Sequence, residues 1–582
     1  VFWLCWVVGV AYFGCLPCVG RIEAPNTPPW LLRASALQRF LTYGMPLNEV
    51  PMIATHNSFN TEELGVHISW EIIPNQKFSI TQQLSCLGVR GLELDVHFVE
   101  ELMTSGVRKE HAALVCHTRP SVANEIKGIC DNLRWHACNA LGIYDFGDDT
   151  GCASTAPTLE KVFAEIYDWL NLPENEQELL YVKMETFVGG EVDFLPNYIT
   201  TVFGSDKIFS PLDFASWNRK SGGNRWPSIE ELLSKGKRLV FSSTTYMNAN
   251  VMFKISRDND KDGLFYEDNA SAKNFKGKAP CASRTRDPSW SRVQGDASTW
   301  VVEMDGLTLF EEQPDPENFL AAGDAWSILA CSLIPTFDRI DSTLLESTMW
   351  SWEDGEPYAY FSRPRAAVAH QTTGRWTTGQ VNNEIHSFAC RDDASGERGA
   401  WIVSKGAAGN FAEARPACVA LGLTFGCPRT AQENASLRRK MAWEGVQSVW
   451  LNLQSPGGKF ASTWRMESGQ VYTIPATYTQ ATCDGGSVAA AASFAWNAED
   501  AWTYGDMAYF EKAERIKEEA RALRAEAEAL ALPAEQQGAL GEDGGELSNI
   551  EDMKALTAAA MVKEADWLED AAREAGAFPK GW

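Results

Sequence analysis

The sequence predicts an α/β fold: a parallel (β/α)8 barrel, then a smaller β-rich domain, then a charged C-terminal helix. Three observations carry this expectation. From about Met45 to Asp341, short β-rich runs recur between segments of helical periodicity, the pattern of a parallel sheet whose strands are joined by crossover helices. No Gly-rich phosphate loop opens the first strand–helix turn, which weighs against the doubly wound alternative. After Asp341 the texture changes to Trp, Gly and Cys, and a chain of 582 residues exceeds what one hydrophobic core usually serves.

Taken in order, the elements divide the chain into residues 1–20, 35–345, 346–504 and 505–582. Val1 to Gly20 is an apolar run followed by Arg21 and a Pro-rich segment. It has the core and end of a secretory signal peptide, with a membrane anchor as the rival reading, so a secreted or extracellular-surface protein is expected. Within 35–345, strands are predicted at Met52–His56, Gly91–Phe98, Ala113–His117, Leu179–Glu185, Arg238–Ser243, Thr299–Met304 and Ile334–Asp338. Helical patterns run from Thr158 to Leu170 and from Pro227 to Ser234. Trp350-Ser351-Trp352 opens the second domain, and Met507 to Leu532 reads as a solvated charged helix before an acidic tail.

Composition narrows the function classes. The net charge of −26 argues against non-specific binding to nucleic acid or anionic lipid, both of which attract clustered Lys and Arg, whereas it suits solubility and cations. Of the 14 cysteines, Cys5, Cys15 and Cys18 lie in the leader. The odd remainder shows no paired CxxC spacing for zinc, so disulfides with at least one thiol left over are expected. Asn269-Ala270-Ser271 and Asn434-Ala435-Ser436 match the glycosylation sequon.

The chemistry-bearing residues come early: Thr55-His56-Asn57-Ser58, Gln83-Leu84, Gly88 to His97 with Glu93-Leu94-Asp95 inside it, Val115-Cys116-His117, and Tyr181-Val182-Lys183-Met184-Glu185. On a strand Glu93, Asp95 and His97 share one face, with Leu92, Leu94 and Val96 on the other. Carboxylates projecting together from a buried strand repel unless a cation lies between them, and calcium favours several hard oxygen ligands. Asn57 and Glu185 end two other predicted strands, and in a barrel such ends meet at one mouth.

Here the chain resembles the X region of eukaryotic phosphoinositide-specific phospholipase C and its secreted, calcium-dependent relatives, over roughly Met45 to Asp341. The resemblance implies a TIM-type barrel. It assigns His56 and His117 as the catalytic histidines and Asn57, Glu93, Asp95 and Glu185 as ligands of Ca2+. It further implies that Glu93 or Glu185 accepts a proton from the attacking hydroxyl, that His56 stabilises charge at phosphorus, and that His117 protonates the leaving group. The substrate implied is a phosphoinositide or another phosphodiester at a membrane surface. Lys183, on the face of Glu185, either meets a phosphate or pairs with an acid. His97, His111 and His136 are set aside as structural. Asp258-Asn259-Asp260-Lys261-Asp262-Gly263 falls short of an EF-hand, since position twelve of that loop would be Asn269. No dense Lys and Arg cluster awaits highly phosphorylated rings.

In the second domain, Trp401 to Leu453 resembles the first half of a C-type lectin-like domain, and Trp350 to Cys390 resembles its second half, in reversed order. Glycan binding is the corresponding expectation, although Glu356-Pro357 is followed by Tyr358 rather than Asn. The alternative to an enzyme is a secreted glycan- or protein-binding chain on an inactive barrel. If the modules are separable, a chain ending near Leu345 should fold alone.

Overall fold

The computed structural model describes residues 25–62, 74–104, 107–116, 156–187, 194–221, 225–244, 251–257, 264–268, 300–307, 325, 328–329, 333–358, 363–392, 400–404, 408–457, 463–466 and 471–474. The leader 1–20, His117, His136, the Asp258–Gly263 loop, the sequon at Asn269 and the charged segment 507–532 lie outside the described residues.

Nine strands make the first sheet among the described residues: β1 (Ala54–Thr55), β2 (Gly91–Thr104), β3 (Val107–Val115), β4 (Leu180–Phe187), β5 (Leu239–Ser243), β6 (Met252–Arg257), β7 (Phe265–Asp268), β8 (Trp300–Leu307) and β9 (Ile334–Phe337). The sheet runs β1-β9-β8-β7-β6-β5-β4-β2, every pair parallel, and β1 also pairs with β2 through Ala54↔Gly91 and Thr55↔Leu92. The ring is therefore closed, as a (β/α)8 barrel requires. The predicted strand at Ala113–His117 is corrected: it belongs to β3, which pairs antiparallel with β2 as a hairpin on the rim. Two staves, β6 and β7, lie outside the predicted strands.

The staves β2, β4 and β5 bury both faces. Leu92, Leu94, Val96, Val182, Met184 and Phe241 pack beneath Val162, Phe163, Ile166 and Ile199 of the surrounding helices. The helix Leu159–Asn171 begins where Thr158 accepts from the Lys161 N–H, and its apolar residues recur on one face. The short helix Ile229–Leu233 is closed by a reciprocal Ser228–Glu231 capping box. On the inner face Tyr181, Val240, Phe253, Phe265 and Ile334 form an apolar plug.

The second sheet has strand order β11-β10-β15-β12-β13, built from β10 (Arg365–His370), β11 (Trp376–Gln380), β12 (Ser387–Arg391), β13 (Trp401–Val403) and β15 (Ser448–Ser455). β14 (Thr424–Phe425) joins β12, and β16 (Thr463–Arg465) with β17 (Val471–Thr473) extends from β15. Trp352, Trp376, Trp401, Trp450 and Trp464 are buried here, whereas Trp443 on the helix Ala431–Glu444 is exposed. Asn434 is buried too, accepting from Trp376 Nε1 and donating to Trp350 O and Gly374 O. The sequon there is thus a core clamp, closed to a glycan in the folded chain. Cys390 and Cys418 form a disulfide, Cys86 and Cys116 are disulfide-bonded, and Cys427 is a free buried thiol.

The two sheets share one hydrophobic core. Leu31, Leu37 and Phe40 of the helix Pro29–Phe40 join barrel residues Phe253 and Phe265 to Trp352, Trp376, Trp464 and Tyr472 of the second sheet. Phe40 stacks on Tyr472 with centroids 5.1 Å apart, and Gln38 bonds Trp350 N and Ser351 Oγ. Tyr472 also reaches Glu178, just ahead of β4. The second sheet therefore docks at the amino-terminal end of the staves, and a barrel ending near Leu345 would leave this shared core uncovered. No helix among the described residues is long and apolar enough to cross a membrane.

Candidate active site

The opposite, carboxyl end of the barrel is where side chains from several staves converge. β1 stops at Thr55, and the chain turns sharply through His56 and Asn57, the latter at φ 43°, a left-handed conformation that asparagine tolerates better than most residues. Buried hydrogen bonds hold the turn. Ser58 N donates to Glu93 O at 3.0 Å and Ser58 Oγ accepts from Glu93 N at 2.9 Å. Gln76 Nε2 donates to His56 O and Phe337 O at 2.7 and 2.8 Å, and Gln83 ties Thr55 to Ser58. The turn is thereby locked to the ends of β2 and β9.

Three side chains fix the imidazole of His56, Asn75 Nδ2 lying 3.4 Å from Nδ1 while it donates to Asp338 Oδ1 at 3.0 Å. The imidazole Nδ1 lies 2.9 Å from Asp338 Oδ1, just after β9, and Asn57 Nδ2 lies 3.2 Å from its Nε2. The Asp338 carboxylate accepts from Nδ1–H, which puts the basic lone pair on Nε2 and stabilises an imidazolium when one forms.

Beside it lies an acidic cluster. Register pairs Glu93 with Lys183 and Asp95 with Glu185 across β2 and β4. Oxygens of Glu93, Asp95 and Glu185 all come within 4.8 Å of one another, close enough to hold one metal ion. Glu93 and Asp95 are 1% and 2% exposed, and Glu93 Oε2, Asp95 Oδ1 and the amide oxygen of Asn57 are buried with no hydrogen-bond partner. Burial, then the Glu185 and Glu93 charges, push the Asp95 carboxyl well above the usual range. Orphaned hard oxygens beside mutually repelling carboxylates are what an oxygen-coordinated divalent cation satisfies, so the donor set fits one.

Lys183 occupies the other side of these acids. Its Nζ lies 2.7 Å from Glu93 Oε1, 3.1 Å from Glu185 Oε1 and 2.8 Å from Glu267 Oε1. Burial alone would lower its pKa, but the three carboxylates outweigh burial and hold the ammonium above its ordinary value. Of the two roles left open for Lys183, pairing with acids is the one observed.

The structure thus brings together His56, Asn57, Glu93, Asp95, Lys183 and Glu185. His117 lies outside the described residues, although Cys116 N, one residue before it, donates to Asp95 O at 3.1 Å. His97 is buried in β2. Sequence reasoning missed Asp338 and Glu267. Asp338 ends a predicted strand and was legible as an acid at the carboxyl end of a stave, whereas Glu267 lies beside Asp268 in β7, which was not placed as a strand.

Residues 23–137 match the family described as the Rv2075c PI-PLC-like domain. That span, which carries the first staves, is similar to a PI-PLC-like domain. The matched span contains His56, Asn57, Glu93, Asp95 and His117, while Lys183, Glu185, Glu267 and Asp338 follow it. The uncharacterized proteins Rv2075c and MT2135 of Mycobacterium tuberculosis are each 27% identical over 429 residues, spanning 70% of this chain and 77% of theirs. Among solved structures, a mutant phosphatidylinositol-specific phospholipase C from Staphylococcus aureus aligns with 54% of this chain and 96% of its own, at 12% identity and a TM-score of 0.30. A pentafluoro-Phe form of the same enzyme aligns with 54% and 98%, at 10% identity and a TM-score of 0.28. Residues 23–137 are thus similar to a PI-PLC-like domain, and Glu93, Asp95 and Glu185 form an acidic cluster able to hold a metal.

Proposed function

We propose that this chain is a calcium-dependent phosphodiesterase of phospholipase C type, acting on inositol phospholipids or related phosphodiesters by attack of a neighbouring hydroxyl on phosphorus. One observation carries the reading: an Asp-oriented histidine, His56–Asp338, stands beside buried oxygens of Asn57, Glu93 and Asp95 that have no partner. Asn57, Glu93, Asp95 and Glu185 would hold the cation. A divalent cation bound there lowers the pKa of the attacking hydroxyl and offsets phosphoryl charge.

The chain's own groups do the rest. Glu93 or Glu185 takes the hydroxyl proton as the oxygen closes on phosphorus, and the bond to the leaving alkoxide breaks. His117 delivers a proton to that alkoxide, leaving a cyclic phosphodiester that water opens in a second step. His56, in its imidazolium form held by Asp338, donates from Nε2–H toward the oxygens that gain charge in the pentacoordinate transition state. Disulfides at Cys86, Cys116 and Cys390–Cys418 support an oxidising, extracellular setting.

The test is a panel of inositol and non-inositol phosphodiesters, scored for cyclic and acyclic products with calcium and with excess chelator. Calcium-dependent release from an inositol diester supports the reading. Full activity in chelator would overturn the calcium requirement, and no turnover of any diester would favour a binding role for the barrel.

A further inference from the structure

Among the described residues, Glu93, Asp95, Glu185 and Glu267 surround the Lys183 ammonium in the barrel's interior and mouth. Lys183 is 1% exposed and Glu267, which it meets at 2.8 Å, lies on the fully buried side at 0% side-chain exposure. Below them sit the apolar Phe253, Phe265 and Ile334 and the Tyr181–Ser242 hydrogen bond at 2.6 Å. Above them Glu93 and Glu185 each give Oε1 to Lys183, at 2.7 and 3.1 Å, while Glu93 Oε2 and Asp95 Oδ1 are left without partners.

We propose that Lys183 is a resident cation that divides the oxygens of Glu93 and Glu185 between itself and a divalent cation, and thereby sets how tightly the mouth binds that ion. It is a positioning residue, not a substrate contact. The inference rests on the calcium reading above and adds to it a reason for the ion's affinity. The ammonium donates hydrogen bonds to Glu93 and Glu185 and lies in ion-pair contact with Glu267, and at 1% exposure it is a poor contact for a phosphate. Its charge remains close to the cation position and opposes a second positive ion there. Glu267, which is not among the three acids whose oxygens converge on one point, pairs with Lys183 from another stave and offsets part of that opposition.

The test uses the full chain and calcium chloride, read by titration calorimetry and by thermal unfolding with and without calcium. Lys183→Met keeps most of the volume and removes the charge. It is expected to tighten calcium binding at least about tenfold and to lower the unfolding temperature without calcium, with most of that loss recovered when calcium is added. Glu267→Gln is expected to act oppositely, weakening calcium binding several-fold. Lys183→Met combined with Glu267→Gln should return affinity toward the unsubstituted value.

An equal loss of unfolding temperature with and without calcium, at unchanged affinity, would overturn the proposal and leave Lys183 as packing. If Lys183→Met folds only when calcium is present, the proposal is upheld, and Glu267→Gln gives a second reading on a folded protein. Should the unsubstituted chain bind no calcium, the calcium reading fails on its own. Calcium binding gained by Lys183→Met would then still uphold the charge role, and its absence would overturn both.

Discussion

At the scale of single residues, the site rests on a few pairings whose partners lie far apart in the chain. His56 meets Asp338 across the closed ring at 2.9 Å, and nothing local to His56 announces that acid. Asp338→Asn keeps the shape but accepts a proton less well. It is expected to lower kcat roughly 10–100-fold with KM little changed, as steady-state kinetics would show. Asp95 presents a conflict between stability and binding, because burial and the neighbouring Glu185 and Glu93 raise its pKa. A raised carboxyl means that ionising Asp95 costs the folded state. That cost is absent below its unfolded value of about 3.9, grows as pH rises to the folded value, and is full above it. Asp95→Asn should therefore raise the calcium-free unfolding temperature near neutral pH, where the cost is relieved, and leave it nearly unchanged in acid. It should also raise the calcium needed for half-saturation. Stability unchanged at neutral pH would refute the conflict.

At the scale of elements, periodicity found what is local. The helix expected from Thr158 to Leu170 is observed at Leu159–Asn171, and Gly91–Phe98 and Leu179–Glu185 were placed as staves. Staves β6 and β7 escaped because a strand buried on both sides has no alternation, and these are six and four residues long. The direction of β3 escaped as well, since a run of β-formers has the same pattern in either sense. Ring closure depends on close approach at one glycine: a Cβ at Gly91 would lie 2.5 Å from Ala54 Cβ. Gly91→Ala should cost about 1–3 kcal/mol, seen as a lower denaturant midpoint. A neutral result would show that β1 can shift at no cost.

At the scale of the whole molecule, the amino-terminal end of the barrel is closed by a buried ionic node. Glu178 accepts from Arg90 at 2.8 Å and Arg39 at 3.2 Å, Tyr472 of the second sheet bonds it, and Arg90 lies over Trp169. Burial alone would raise the Glu178 pKa, but the two guanidinium groups outweigh burial and hold it far below the carboxylate range. Its folded value is depressed, so the stabilisation is full above the unfolded value of about 4.3 and is lost as pH falls below it. Glu178→Gln should cost about 3 kcal/mol at neutral pH and flatten the acid limb of the stability profile; an unchanged acid limb would refute the node. The shared core leads to a further expectation. A chain ending near Leu345 would expose Phe40 and its neighbours and should show no cooperative thermal transition by circular dichroism. A folded, active truncation would restore the two-module picture drawn from sequence. The sequence by itself determined the alternating α/β pattern, the common face of Glu93 and Asp95, and the grouping of His56 and Asn57 with Glu185, because strand periodicity and motif order are local properties of the chain. Only the tertiary structure decided that Asp338 orients His56, that Lys183 belongs to three acids including Glu267, and that the Trp-rich segment continues the barrel's core. Each is a contact between residues distant in sequence, made only when the ring closes and the second sheet docks, and no local spacing encodes it.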